Sequence, residues 1–135
     1  MSMPQVATTP KWMIWTGRVI SVLPVLILIM SAQAKFHLSE EDAANTVKMG
    51  WDPKIMPALG VVELISTLLY IIPQTATLGA ILLTGYLGGA VAVHVRMADW
   101  PHAPIAFIAG VLVWLGLYLR DHRVRDLVPF RNLNN

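Results

Sequence analysis

The stretch that decides the fold is Thr75–Val95, TATLGAILLTGYLGGAVAVHV, 21 consecutive residues without a formally charged side chain. A helix of about 20 mostly apolar residues can cross the hydrocarbon core of a bilayer. Three further runs have similar length and at most one charged residue each: 12–34, 55–72 and 103–119. None of the runs alternates with period two, and in lipid a segment must satisfy its own backbone polar groups, which favours helices. The sequence therefore predicts an all-α membrane protein, a bundle of four transmembrane helices forming a single domain over residues 1–135.

The composition agrees with this class and excludes several others. Only 13% of the residues are charged, about half of what a soluble domain carries. The absence of cysteine excludes disulfide frameworks, iron–sulfur clusters and thiol relays, so any electrons must be carried by a bound cofactor or a partner protein. The basic residues Arg120, Arg123, Arg125 and Arg131 directly follow the last apolar run. That position is typical of a membrane flank, so we expect the lipid bilayer as a partner and no nucleic acid.

The connections between the four runs are unequal in length. Pro73 and Gln74 leave almost nothing between the second and third helices, which predicts an antiparallel hairpin. Residues 36–54 are longer, and Ser39 with Asp42 forms a helix start like a capping box. Gly50 can close that helix in the left-handed conformation. We expect a short amphipathic helix in this outer loop, lying over the bundle as a lid.

The distribution of basic residues predicts the orientation. Six Lys and Arg residues flank the spans on the side of the two termini and four on the other side, so the positive-inside rule places both termini in the cytoplasm. A competing interpretation is that the first run is a cleavable signal peptide ending at the small residues Ala32-Gln33-Ala34. Cleavage would leave three spans, and the mass of the mature chain distinguishes the two interpretations.

The segment Gly85–Arg96, GYLGGAVAVHVR, resembles the third helix of the DoxX-like membrane proteins. Further matches follow in order along the chain: residues 15–18 and 31–35 in the first helix, 59–64 and 70–73 in the second, and 118–121 in the fourth. The resemblance implies a multi-pass protein of the bacterial inner membrane.

The same resemblance implies a small membrane subunit associated with quinone-linked redox metabolism, with a quinone or other lipid-soluble ligand as its cofactor. It also implies a redox partner protein. The alternative function is that of a non-catalytic assembly factor, chaperone or lipid-binding scaffold. Whether the protein catalyses any reaction is open at this point.

Glu63 is the first candidate site residue because it is an acid inside a predicted span. An ionised carboxylate there costs several kcal/mol unless it is paired or protonated, so it is a functional hypothesis. The alternative is an ion pair that only holds the bundle together. Arg18 in the first helix is the expected partner, unless its side chain extends to the headgroups instead.

His94 is the second candidate, since histidine titrates near neutral pH and can hold a carbonyl or an anion. Arg96, Lys35 and Gln33 are expected at the same outer level of the bundle, and Tyr86 could donate a hydrogen bond to a bound ring. The predicted ligand-binding residues are Lys35, Glu63, Tyr86, His94 and Arg96. No two histidines share a spacing that is typical of metal ligands, so no metal site is expected.

A stripe of small residues runs along the third span. Its members recur at every fourth position, with a second pair beside them: Ala76, Ala80, Thr84, Gly88 and Ala92, then Gly85 and Gly89. Small residues let membrane helices approach closely, which favours tight packing inside the bundle. The alternatives are a homo-oligomer or a contact with a partner protein, or a slot left open for a flat lipid-soluble ring.

Overall fold

A computed structural model describes residues 8–130. Six helices lie in this range: α1 (Lys11–Phe36), α2 (Glu40–Lys48), α3 (Met56–Ile71), α4 (Ala76–Arg96), α5 (Ala103–Arg120) and α6 (His122–Leu127). A short 3-10 turn, Pro53–Ile55, leads into α3. The described residues contain no β-strand.

The four long helices α1, α3, α4 and α5 are long and apolar enough to cross a membrane. Their ends differ from the predicted spans by at most two residues, and the predicted four-helix membrane fold is confirmed. Helix α1 packs against α3 and α5, and α4 packs against the same two helices. The four helices therefore form a closed ring in which α1 lies diagonally opposite α4.

The bundle has two unlike ends. We call the end that carries the chain termini and the α3–α4 turn the terminal end, and the end that carries α2 and the α4–α5 connection the loop end. At the terminal end Tyr70 is fully buried and its hydroxyl donates to the carbonyl of Val113 at 2.7 Å. The same hydroxyl lies 2.9 Å from Ser21 Oγ, and Arg120 donates to the carbonyl of Tyr70 at 2.9 Å. Tyr70 thus joins α1, α3 and α5.

Three glycines allow close approach of the helices at this end. A β-carbon on Gly17 would lie 2.7 Å from the carbonyl oxygen of Gly116, and one on Gly116 would overlap Ser21 Oγ. A β-carbon on Gly79 would overlap the backbone of Tyr70 in the preceding helix. Close approach of this kind is how membrane helices gain dispersion energy without a hydrophobic driving force.

Helix α2 forms as the sequence predicts. The Ser39 side chain accepts from the backbone N–H of Asp42 at 3.1 Å, and Gly50 closes the segment with a φ of 84°. The helix lies at the loop end, where Thr46 is buried. Arg96 at the end of α4 donates to the carbonyl of Met49 at 2.6 Å. This contact attaches the α2 segment to α4.

Candidate ligand site at the loop end

A cavity of about 640 Å³ lies inside the loop-end half of the bundle. All four long helices line it, and the segment after α2 contributes Met49 and Trp51. Most of its wall is apolar side chain, including Leu28, Leu59 and Ala109. Ligand pockets in proteins typically measure about 300–1,000 Å³ and combine apolar walls with a few placed polar groups. The size and lining of this cavity fit that description.

The polar groups of the cavity form one connected cluster, which we call the Lys35–Glu63 cluster and which also includes Ser31 and Tyr86. Lys35 Nζ lies 2.8 Å from Glu63 Oε2 and donates to Ser31 Oγ at 2.7 Å. The Tyr86 hydroxyl donates to the same carboxylate oxygen at 3.1 Å, and Lys35 Nζ lies 5.7 Å from the centre of the Tyr86 ring. Glu63 is only 1% exposed. Three helices thus bring four polar side chains together in an otherwise apolar cavity.

The partner of Glu63 is therefore Lys35, and the expectation that it would be Arg18 was wrong. Side chains on a helix lean toward its N-terminus. Lys35, near the loop end of α1, consequently reaches back into the bundle toward Glu63. Arg18 leans in the same direction, but it lies near the start of α1, so this carries its side chain to the terminal end and away from Glu63. Its guanidinium stacks over Trp15 at 5.1 Å.

The glycines of α4 do not pack as the small-residue stripe suggested. Ala76 and Ala80 at its start are buried, but a β-carbon on Gly85, Gly88 or Gly89 would meet nothing within 4 Å. Tight packing inside the bundle was therefore the wrong interpretation for these three residues. A glycine inside a helix costs about 0.5–1 kcal/mol relative to alanine. Packing within the bundle does not account for that cost here.

The open glycines fall on two faces of α4. Gly85 and Gly89, one helical turn apart, line the cavity together with Ala90, whereas Gly88 does not line it. All three glycines are exposed, but Gly88 lies outside the cavity lining and therefore faces outward from the bundle. The Gly85–Gly89 face of α4 therefore leaves open space toward the cavity, while its use by a ring compound stays a prediction.

The loop-end rim of the cavity carries a second polar group. His94 and His102 both line the cavity, and their rings stack with centroids 5.6 Å apart. Asp99 lies between them, with carboxylate oxygens 2.9 Å from His94 Nδ1 and 2.8 Å from His102 Nδ1. The hydrogen bond with His102 has the larger effect and that with His94 the smaller. Together they hold the pKa of the Asp99 carboxyl below its usual range.

The structure brings four of the five predicted ligand-binding residues to the cavity and leaves one outside. Lys35, Glu63, Tyr86 and His94 line it. Arg96 points away from His94 and binds the Met49 carbonyl instead, because residues two apart on a helix face nearly opposite directions. Gln33 is exposed and lies outside the cavity lining. Sequence reasoning missed Ser31 as a member of the first polar group, and Asp99 and His102 as members of the second.

Four membrane-spanning helices around an apolar cavity with a buried ion pair define a small multi-pass membrane protein with a candidate site for a hydrophobic ligand. Comparison with protein families identifies it further: the model of the DoxX-like family matches residues 19–116, well over half of the chain. The protein belongs to the DoxX-like family. No curated protein and no solved structure matches the chain.

Proposed function

We propose that the loop-end cavity binds a lipid-soluble ring compound with hydrogen-bonding oxygens, namely a quinone, and that the protein serves a redox system of the bacterial inner membrane. The observation that carries the proposal is the Lys35–Glu63 cluster inside an apolar cavity of about 640 Å³. Ionisable groups inside a membrane are expensive and mark functional pathways by default. Membership of the DoxX-like family supports the membrane location of this site.

The residues of the cluster supply the chemistry that such a ligand needs. A bound quinone would carry two electrons and two protons. Lys35 has three N–H donors, which now contact the Ser31 carbonyl, Ser31 Oγ and Glu63. By giving up a contact with Ser31 it can hold a carbonyl oxygen and keep its contact with Glu63. The Tyr86 hydroxyl donates a hydrogen bond to Glu63. Through this bond the carboxylate can take a proton from the tyrosine hydroxyl, or return it, while that hydroxyl contacts the bound quinone. Under this proposal the two electrons are exchanged with a redox partner protein.

Filling the glycine slot tests this proposal. We expect Gly89→Leu to weaken binding of a short-chain quinone by at least about tenfold, because the added side chain occupies cavity volume without displacing a neighbour. Binding is measured by calorimetric titration of the protein in lipid nanodiscs. Gly88→Leu is the matched control, since it makes the same change one residue away on the face outside the cavity.

Equal quinone affinity in the Gly89→Leu and Gly88→Leu proteins would contradict the proposal. So would a wild-type protein that takes up no quinone at all. Tyr86→Phe adds a finer check, because it keeps the ring and removes only the hydroxyl that contacts Glu63. We expect it to weaken binding by less than the glycine substitution.

The outward face of α4 favours the second candidate function, a non-catalytic helper that works through contact with another protein chain. Gly88 and Ala92 are both exposed, and a β-carbon on Gly88 would meet nothing within 4 Å. A smooth helix surface of this kind lets a second helix approach closely.

Cysteine cross-linking in native membranes tests this second candidate, because the chain has no cysteine of its own. If the Gly88 face contacts a second copy, Gly88→Cys is expected to give an oxidised dimer of twice the 14.9 kDa chain mass. Val61→Cys is the control, since Val61 is also exposed and lies at a similar depth on α3. It is nine residues from Tyr70, as Gly88 is nine residues from Gly79, the residue of α4 that packs against Tyr70. Equal cross-linking at both positions, or none at Gly88, would count against a specific contact between copies.

A further inference from the structure

We propose that His94, Asp99 and His102 form a binding site for a divalent transition-metal ion at the rim of the cavity. One donor atom from each of the three side chains lies within 4.8 Å of the other two. The site goes beyond the proposed quinone function and does not depend on it. The sequence alone predicts no metal site, because no two histidines have a spacing that is typical of metal ligands on a helix.

The α4–α5 connection fixes the three residues relative to one another. His94 lies in the last turn of α4, and His102 is the residue immediately before α5. Between them, the backbone N–H of Asp99 donates to the carbonyl of His94 at 2.9 Å, and the carbonyl of Asp99 accepts from Ala103 at 3.2 Å. These bonds hold the carboxylate between the two imidazoles without help from the rest of the chain. The backbone of the connection therefore places all three side chains next to one another before an ion binds.

The two distances between Asp99 and the histidine nitrogens are close to the distances between neighbouring ligands of a metal ion. The carboxylate oxygens of Asp99 lie 2.9 Å from His94 Nδ1 and 2.8 Å from His102 Nδ1. Ligands that bind a metal at about 2.0–2.2 Å and at right angles to each other lie about 3 Å apart. An ion would take the place of the protons that the imidazoles now share with the carboxylate, so its binding releases protons. The three donor atoms lie within 4.8 Å of one another, so the two imidazoles would draw together around an ion while Asp99 stays between them.

The donor set indicates which metals the site would take. Two imidazoles and one carboxylate suit Zn²⁺, Fe²⁺, Co²⁺ or Ni²⁺ better than Mg²⁺ or Ca²⁺, which prefer oxygen ligands. Three protein ligands leave coordination positions open, as in catalytic rather than structural metal sites. Because both histidines line the cavity, a bound ion would face the space that a ligand enters.

Cobalt binding tests the proposal directly, since Co²⁺ in a site with nitrogen and oxygen ligands absorbs visible light. The protein is purified in detergent micelles without a polyhistidine tag and titrated with CoCl₂. We expect one Co²⁺ per chain. We also expect His102→Ala to weaken binding by at least about tenfold through loss of one of three ligands. The His102 side chain is 62% exposed, so this variant is expected to fold normally.

His37→Ala is the matched control because it removes an exposed histidine outside the cluster. Unchanged Co²⁺ affinity in His37→Ala, together with weakened binding in His102→Ala and Asp99→Asn, supports the site. Failure of the wild-type protein to bind Co²⁺, or equal losses in His37→Ala and His102→Ala, would overturn it. Quinone binding in the Gly89→Leu experiment is read separately, so the two proposals can fail independently.

Discussion

Replacing Lys35 with methionine is expected to lower the free energy of unfolding by about 3–5 kcal/mol, the usual cost of breaking a buried ion pair by removing one partner. The Glu63 carboxylate is 1% exposed and would lose the cation that lies 2.8 Å away. The Tyr86 hydroxyl would remain as its donor, which is too little to compensate a full charge. Unfolding by sodium dodecyl sulfate in mixed micelles, followed by circular dichroism, measures the change.

The double variant Lys35→Met/Glu63→Gln separates a structural role of the pair from a functional one. Removing both charges is expected to restore most of the lost stability, because no uncompensated charge stays buried. If the cluster binds a ligand as proposed, the restored protein still fails to bind quinone. A double variant that regains both stability and quinone binding would show that the ion pair only holds α1 to α3. A Lys35→Met protein as stable as the wild type would contradict the argument from burial.

Gly79→Leu is expected to have the second large effect, a loss of at least about 1–3 kcal/mol from overpacking. A β-carbon at this position would overlap the backbone of Tyr70, and backbone in a helix cannot move aside as a flexible side chain can. The α3–α4 hairpin would have to open, which would also disturb the hydrogen bonds of Tyr70 to α1 and α5. The midpoint of thermal unfolding, read from the monomer peak in size-exclusion chromatography, reports the loss.

The control for this prediction lies on the same helix. Gly88→Leu adds the same side chain where nothing lies within 4 Å, and the exchange of glycine for a better helix former favours the folded state slightly. We expect its midpoint to equal or exceed that of the wild type. If the two glycine variants unfold at the same temperature, the close contact at the α3–α4 turn does not limit stability.

The fold could be predicted from the sequence because hydropathy alone decides it. A run such as Thr75–Val95 has few alternatives to a spanning helix, and the ends of the helices follow from charged residues and prolines beside the runs. Local signals were equally informative for α2, where Ser39 and Gly50 act as the sequence indicates. Each of these features depends on residues that are close together along the chain.

The site was less predictable because it depends on side-chain direction and on turns. Glu63 was recognised as a candidate from its position within a span, but its partner followed from the direction in which Lys35 leans on α1. The cluster of His94, Asp99 and His102 depends on the α4–α5 turn, whose geometry no residue spacing on a helix reveals. The open glycines of α4 could not be told from packed ones, since the same residues serve both uses.

The exposed wall at Gly85 and Gly89 affects which part of a ligand the protein can recognise. Both residues are exposed, lie within a membrane-spanning helix and line the cavity; from this we infer that the cavity opens sideways toward the bilayer. A hydrophobic ligand would enter from the lipid phase, where it is concentrated, and would leave its isoprenoid or acyl tail outside. Under the proposed function the protein would therefore discriminate between head groups and accept tails of different lengths.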